Sequence, residues 1–300
     1  MSGALGLALL GSARPASPPQ AELSSQPMTA IPNGEAVRPT THEARGIPFG
    51  PWAIPPHLIG PLYSGGVLSG PEPYAKLDEV RARKGEVVLY LARKRTLEGG
   101  LISVAAAQRF LETWPDITPY IRDGTVWGII VSDDITGKRI WGPDAPYYPQ
   151  IDSIAKLVKD RWPEARTIVR AAPAAMTYQW KWVDWAWSQY SNVPRNGNVT
   201  AYRDRQMAKA DSLGLCLVFG LNIIHGGDGS SGKGPKRRHL MSGAEFLRYY
   251  SVLLPHTPLA FHWQYRPEVE TEPDLRAAME QVRAWADTMP RPSCRFERRD

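Results

Sequence analysis

From about residue 46 onward, short apolar runs rich in β-branched and aromatic side chains alternate with amphipathic stretches of helical period. The clearest run is Val126-Trp127-Gly128-Ile129-Ile130-Val131-Ser132, which stops in the adjacent acids Asp133 and Asp134. A continuous apolar run bounded by polar residues has the pattern of a strand covered on both faces. The same criterion predicts strands over residues 62–68, 87–92, 167–170, 183–190, 215–224 and 259–265. Helices are predicted over residues 74–84, 104–114, 151–162, 199–213, 244–254 and 274–289. Ser103 and Ser242 are placed as N-caps, Pro115, Pro163 and Pro255 as stops, and Gly214 as a left-handed C-terminal cap.

Strands separated by helices predict an α/β domain with a parallel sheet. Seven strands are visible, and a closed (β/α)8 TIM barrel needs one more, expected around Ile47 to Ile54. An open doubly wound sheet is the alternative. The expected organisation is a possible signal peptide and flexible leader over residues 1–45, one barrel domain over 46–290, and a disordered tail over 291–300. Ala4 to Leu10 is a short apolar run followed by small residues, as in a signal peptide, although no basic residues precede it. Arg14 to Arg45 is rich in Pro, Ser, Thr and Ala and too poor in large apolar residues to offset its ordering entropy. A secreted or periplasmic location is expected.

The 300 residues carry a net charge of +6, but the basic residues fall in short scattered clusters and no nucleic-acid motif accompanies them. No nucleic-acid partner is expected, and no run is long and apolar enough for a membrane span. Cys216 lies in an apolar run, where a buried inert thiol is the default, and Cys294 lies in the polar tail. Whether the two pair is left open. The eleven tryptophans serve core packing or stacking against flat apolar faces such as those of sugars.

In such a barrel the C-terminal strand ends form the working face. Asp133 and Asp134 end the run described above. Because neighbouring strand residues face opposite ways, one of them is expected to reach the barrel mouth, and Asp134 is preferred as the one nearer the loop. Arg170 ends an apolar strand and needs a carboxylate partner, which an acid on a neighbouring strand end would provide. Gln189 and Tyr190, Asn222 and His225, and Gln264 and Tyr265 follow the next three strands, with Trp187 and Trp263 beside them. Amides, phenols and indoles around a carboxylate suit a polyhydroxylated ligand. Glycoside hydrolysis uses a second carboxylate, for which Glu98, Asp184 and Asp228 are candidates; no strand ends in Glu. Gly227 to Lys233 has P-loop spacing but lacks the Ser or Thr that would bind Mg²⁺ and the helix that should follow, so a glycine-rich loop over the mouth is the better reading. No metal site or cofactor is expected.

The chain resembles the TIM-barrel glycoside-hydrolase-like superfamily, and within it uncharacterised bacterial members. The likeness rests on the 127–134 run, on Asp184-Trp185-Ala186-Trp187-Ser188-Gln189-Tyr190, on Gly220-Leu221-Asn222 with Gly226-Gly227, and on Trp263-Gln264-Tyr265. It implies the barrel and a carbohydrate substrate or ligand. The expected activity is hydrolysis of glycosidic bonds, with Asp134 as acid or base and Arg170 tuning or anchoring it. A non-catalytic glycan-binding barrel is the alternative.

Overall fold

A computed structural model describes residues 46–91, 93–137, 147–233 and 239–294. Eight parallel strands form a nearly closed barrel, in chain order around its circumference. They are β1 (Phe49–Pro51), β2 (Gly65–Leu68), β3 (Glu86–Tyr90), β4 (Val126–Asp133), β5 (Thr167–Arg170), β6 (Trp185–Tyr190), β7 (Cys216–Asn222) and β8 (Ala260–Trp263). β1 pairs with β8, and a bridge between Trp52 and Val67 brings it beside β2. The strand sought near Ile47–Ile54 is thus the first of the barrel.

The predicted helices form close to their expected bounds, among them Val104–Glu112, Tyr148–Arg161, Val199–Ser212, Gly243–Leu253 and Pro273–Thr288. Ser103 caps the first of these by accepting from Ala106 N at 3.2 Å. Ser242 and Glu245 form a reciprocal capping box on the fourth, and Gly214 takes the left-handed conformation (φ 65°) after Ser212. Residues 74–84 tighten into a 3₁₀ turn and then a short helix, Leu77–Ala82.

Strand parity divides the core in two. Along β6, Trp185 and Trp187 point into the barrel, whereas Ala186 and Tyr190 pack outward against the helices. The interior is filled by Trp52, Val67, Val88, Trp127, Ile130, Ile168, Val218 and Phe261 along with those two indoles. Room for the indole of Trp187 comes from Gly220 on β7, where a Cβ would collide with the Trp187 ring nitrogen and with the carbonyl of Phe261. Most tryptophans therefore follow the core-packing reading.

Residues 291–294, the described part of the tail expected to be disordered over 291–300, are tied to the barrel. Arg291 donates to both oxygens of Glu86, at 2.7 and 3.0 Å, and to Gly46 O at 3.1 Å. Cys294 is disulfide-bonded to Cys216 at the start of β7 and packs against the barrel interior. Cys216 is therefore not a free thiol. Neither cysteine signalled this by sequence spacing, because it depends on the tail folding back beneath the barrel. Residues 1–45 and 295–300 lie outside the described residues.

Candidate functional site

The C-terminal strand ends converge on Arg170. Its Nε donates to Asp133 Oδ1, its Nη2 lies 3.0 Å from Asp134 Oδ1, and its Nη1 donates to Gln189 Oε1 at 3.0 Å. The guanidinium carbon sits 4.8 Å from the ring centroid of Trp263 and 5.4 Å from that of Trp52. With 6% exposure, the cation is stable only because its donors are engaged and its faces are covered by aromatic rings. Gln189 is itself oriented by donation to Leu221 O at 3.3 Å.

Both acids reach this arginine, but only Asp134, the one expected nearer the loop, lines the mouth, while Asp133 supports Arg170 from behind. A shift of register against β3 lets Trp127 and Ile130 both point inward, and a second shift, against β5 between Ile130 and Ser132, sets the register of the strand end. Asp133 is then in register with Arg170. Asp134 continues the ladder through its N–H to Arg170 O at 2.9 Å, but turns left-handed (φ 49°), a conformation Asp tolerates better than most residues. Its carboxylate swings back to the same guanidinium while remaining 48% exposed.

The two carboxylates differ in surroundings. Burial raises the proton affinity of Asp133, the neighbouring Asp134 charge raises it further, and Arg170 opposes both. Burial alone would lower the pKa of Arg170, but the two carboxylates outweigh it and hold the arginine more firmly protonated.

Above this cluster lies a cavity of about 860 Å³, lined by Asp134, Arg170, Trp187, Gln189, Asn222, His225 and Trp263 among the predicted residues. Trp187 is only 2% exposed, so it forms the floor, whereas Trp263 is half-buried. Asn222 Oδ1 accepts from His225 N at 3.2 Å and shapes the turn that carries the histidine. The cavity also takes in Thr136, Ser191, Asn192, Arg195 and Asn196, which sequence reading missed because they lie in loops or in a helix of four residues, too short for a periodic pattern.

Other predicted residues lie elsewhere. Asp133 sits behind the cavity lining, on Arg170. Tyr190 faces outward, donates to Gly197 O at 2.8 Å and packs on Tyr202 and Tyr249; strand parity separates it from Gln189. Gln264 and Tyr265 are also absent from the lining, and Tyr265 N donates to Trp52 O at 2.9 Å as the chain leaves the barrel.

None of the three candidates for a second carboxylate lines the cavity. Asp184 lies at the opposite end of the barrel, where it accepts from Thr167 N at 2.9 Å and pairs with Lys159 at 2.7 Å. Glu98 belongs to a small hairpin (Leu97–Glu98 with Leu101–Ile102) and accepts from Ser103 at 3.0 Å. Asp228 closes the glycine-rich turn, its pKa lowered chiefly by the Ser230 N–H. In the near P-loop, Asp228 N donates to Glu245 at 2.8 Å and Lys233 pairs with Glu272, so both are engaged by the protein itself. Among the described residues no group of three or more His, Cys, Asp or Glu could hold a metal ion.

No family model matches the chain, and no curated protein matches it. Solved structures do. The chain is similar to native xylanase 10B from Thermotoga maritima at 10% identity, over 81% of this chain and 96% of that one, with a TM-score of 0.50. It is also similar to a GH10 xylanase with a bacterial Ig-like domain from termite gut (10% identity, 82% and 77% coverage, TM-score 0.49). A third is the intracellular xylanase of Thermoanaerobacterium saccharolyticum (11%, 77% and 90%, TM-score 0.48). The chain shares the barrel fold of TIM-barrel glycoside hydrolases.

Proposed function

We propose that the mouth of this barrel binds carbohydrate. The observation that carries this reading is the cavity itself, which sets the half-buried ring of Trp263 beside the amides of Gln189 and Asn222. A sugar offers an apolar face for an indole and a ring of hydroxyls for amides. The barrel fold shared with xylanase 10B supports this ligand class. Among the described residues Asp134 is the sole carboxylate lining the cavity, and β7 and β8 end in Asn222 and Trp263. Cleavage of a glycosidic bond uses two carboxylates flanking it. A glycan-binding barrel is therefore our first reading.

One observation favours hydrolysis as a second. Asp133 and Asp134 share a guanidinium, yet burial pushes the proton affinity of Asp133 up while Asp134 stays accessible. Neighbouring acids in unlike environments are the raw material of acid and base roles. A secreted or periplasmic location belongs to the same proposal, supported by the Cys216–Cys294 disulfide, since such bonds persist in oxidising compartments.

The test is a tryptophan-fluorescence titration against soluble polysaccharides, comparing the native protein with Trp263→Ala. A saturable change that Trp263→Ala weakens is expected; silence across neutral and acidic glycans overturns the reading. Reducing-sugar release that Asp134→Asn abolishes would move hydrolysis into first place.

A further inference from the structure

We propose that the glycan bound at the mouth is acidic and that Arg195 holds its anionic group; the inference rests on the carbohydrate reading above. Among the described residues two arginines line the cavity, and they are in opposite situations. Arg170 is engaged on every side by Asp133, Asp134 and Gln189 and offers no donor to a newcomer without breaking a buried pair. Arg195 is exposed at the cavity wall and makes no ion pair among the described residues.

The backbone beneath Arg195 is fixed. It lies in the short helix Val193–Asn196, where its N–H donates to Asn192 Oδ1 at 3.1 Å. Asn196 Oδ1 accepts from Ser191 N at 2.8 Å, and Asn196 O accepts from Arg205 Nη2 at 3.2 Å. Tyr190 then anchors the turn through Gly197 O. The guanidinium is free in solvent, but its point of attachment is held beside the mouth.

Among the described residues Asp134, Arg170 and Arg195 line the cavity, and the first two are paired with each other. The phenol of Tyr202, which also lines the cavity and shares a hydrogen bond with the Ser188 hydroxyl, has its pKa pushed up to about 12 by burial. The charges acting on it are those of Arg205 and Arg195, with no carboxylate among them. The acids of the site lie instead at Arg170, already neutralised in part. A sugar hydroxyl can accept one hydrogen bond from this arginine, but a carboxylate or sulfate matches its planar fork with two and adds the opposite charge.

The test is calorimetric titration with homogalacturonan oligomers in two forms, the free carboxylate and its full methyl ester, on the native protein and Arg195→Gln. Chondroitin sulfate and neutral xylo-oligosaccharides complete the panel. The carboxylate form is expected to bind about five-fold tighter than the ester, as for an exposed pair at the upper end of its range. That preference should shrink with added salt and vanish in Arg195→Gln, whose melting temperature, matching that of the native protein, reports an intact fold. Tighter binding of the sulfated polymer, also lost in Arg195→Gln, would support the same arginine with sulfate as the anion. Equal binding of acid and ester, or a preference surviving in Arg195→Gln, overturns the proposal and leaves the carbohydrate reading standing. Failure of every polymer to bind sinks both.

Discussion

Asp134 returns to Arg170 at 3.0 Å from beyond the end of its strand, because its backbone turns left-handed where the strand stops. The second partner, Asp133, is buried with the guanidinium, whereas Asp134 stays half open to solvent. Removing the base leaves Asp133 buried and without its counter-charge. Arg170→Met is expected to cost about 3–5 kcal/mol of stability, the usual penalty for breaking a buried pair from one side. Arg170→Lys should rescue little, since one ammonium cannot reach three acceptors in fork geometry. Urea denaturation curves of both variants test this; a midpoint like that of the native protein would contradict the central role given to this cluster.

Glu270 is buried, and neither carboxylate oxygen has a hydrogen bond among the described residues. Burial raises its pKa to about 7 from 4.5, against the opposing charge of Arg276. Between these values the folded chain holds a proton that the unfolded chain has released. Stability therefore falls as pH rises through the window and stays low above it. Glu270→Gln should be more stable than the native protein at pH 8, by about 2–3 kcal/mol at most, and equal to it near pH 4. Paired melting curves at the two pH values decide; a difference independent of pH would mean that Glu270 finds a partner when ionised.

The disulfide spans 78 residues of sequence between Cys216 and Cys294. On the chain-entropy account its loss costs about 4 kcal/mol. Cys294→Ser, or native protein in reductant, should melt well below the oxidised form. Identical melting of oxidised and reduced protein would show that Arg291 and the apolar contacts hold the segment alone.

Gly220 faces the Trp187 ring nitrogen inside the barrel. Gly220→Ala should destabilise by about 1–3 kcal/mol through overpacking, and the displaced indole should shift the tryptophan emission maximum. An unshifted spectrum with native stability would mean that the floor of the cavity is loosely packed.

The barrel was legible because parallel strands buried on both faces leave continuous apolar runs, as in residues 126–132 and 215–221. Arg170 with a carboxylate partner followed from the cost of an isolated buried charge. Gln189 inside and Tyr190 outside also obey simple alternation, so assigning both to the mouth ignored a rule available in the sequence. The joint approach of Asp133 and Asp134 was different. It needs register shifts in β4 and a left-handed residue, and neither leaves a periodic trace. Trp52 left no periodic signal for a related reason: it follows a strand only three residues long, Phe49–Pro51. Arg195 and its asparagine neighbours belong to a four-residue helix and its cap, too short for a periodic pattern and positioned by hydrogen bonds distant in sequence.

The contact of Arg291 with Gly46 O joins the two ends of the barrel segment. Ile47 N adds a second tie, donating to Ala286 O at 2.7 Å. The barrel is thus already a topological ring with one peptide link left unmade, and the order in which its eight units are translated is separable from the order in which they stand. A circular permutant that joins these ends through a short linker and opens the chain at the exposed Gly99–Gly100 turn would keep every strand beside its present neighbours.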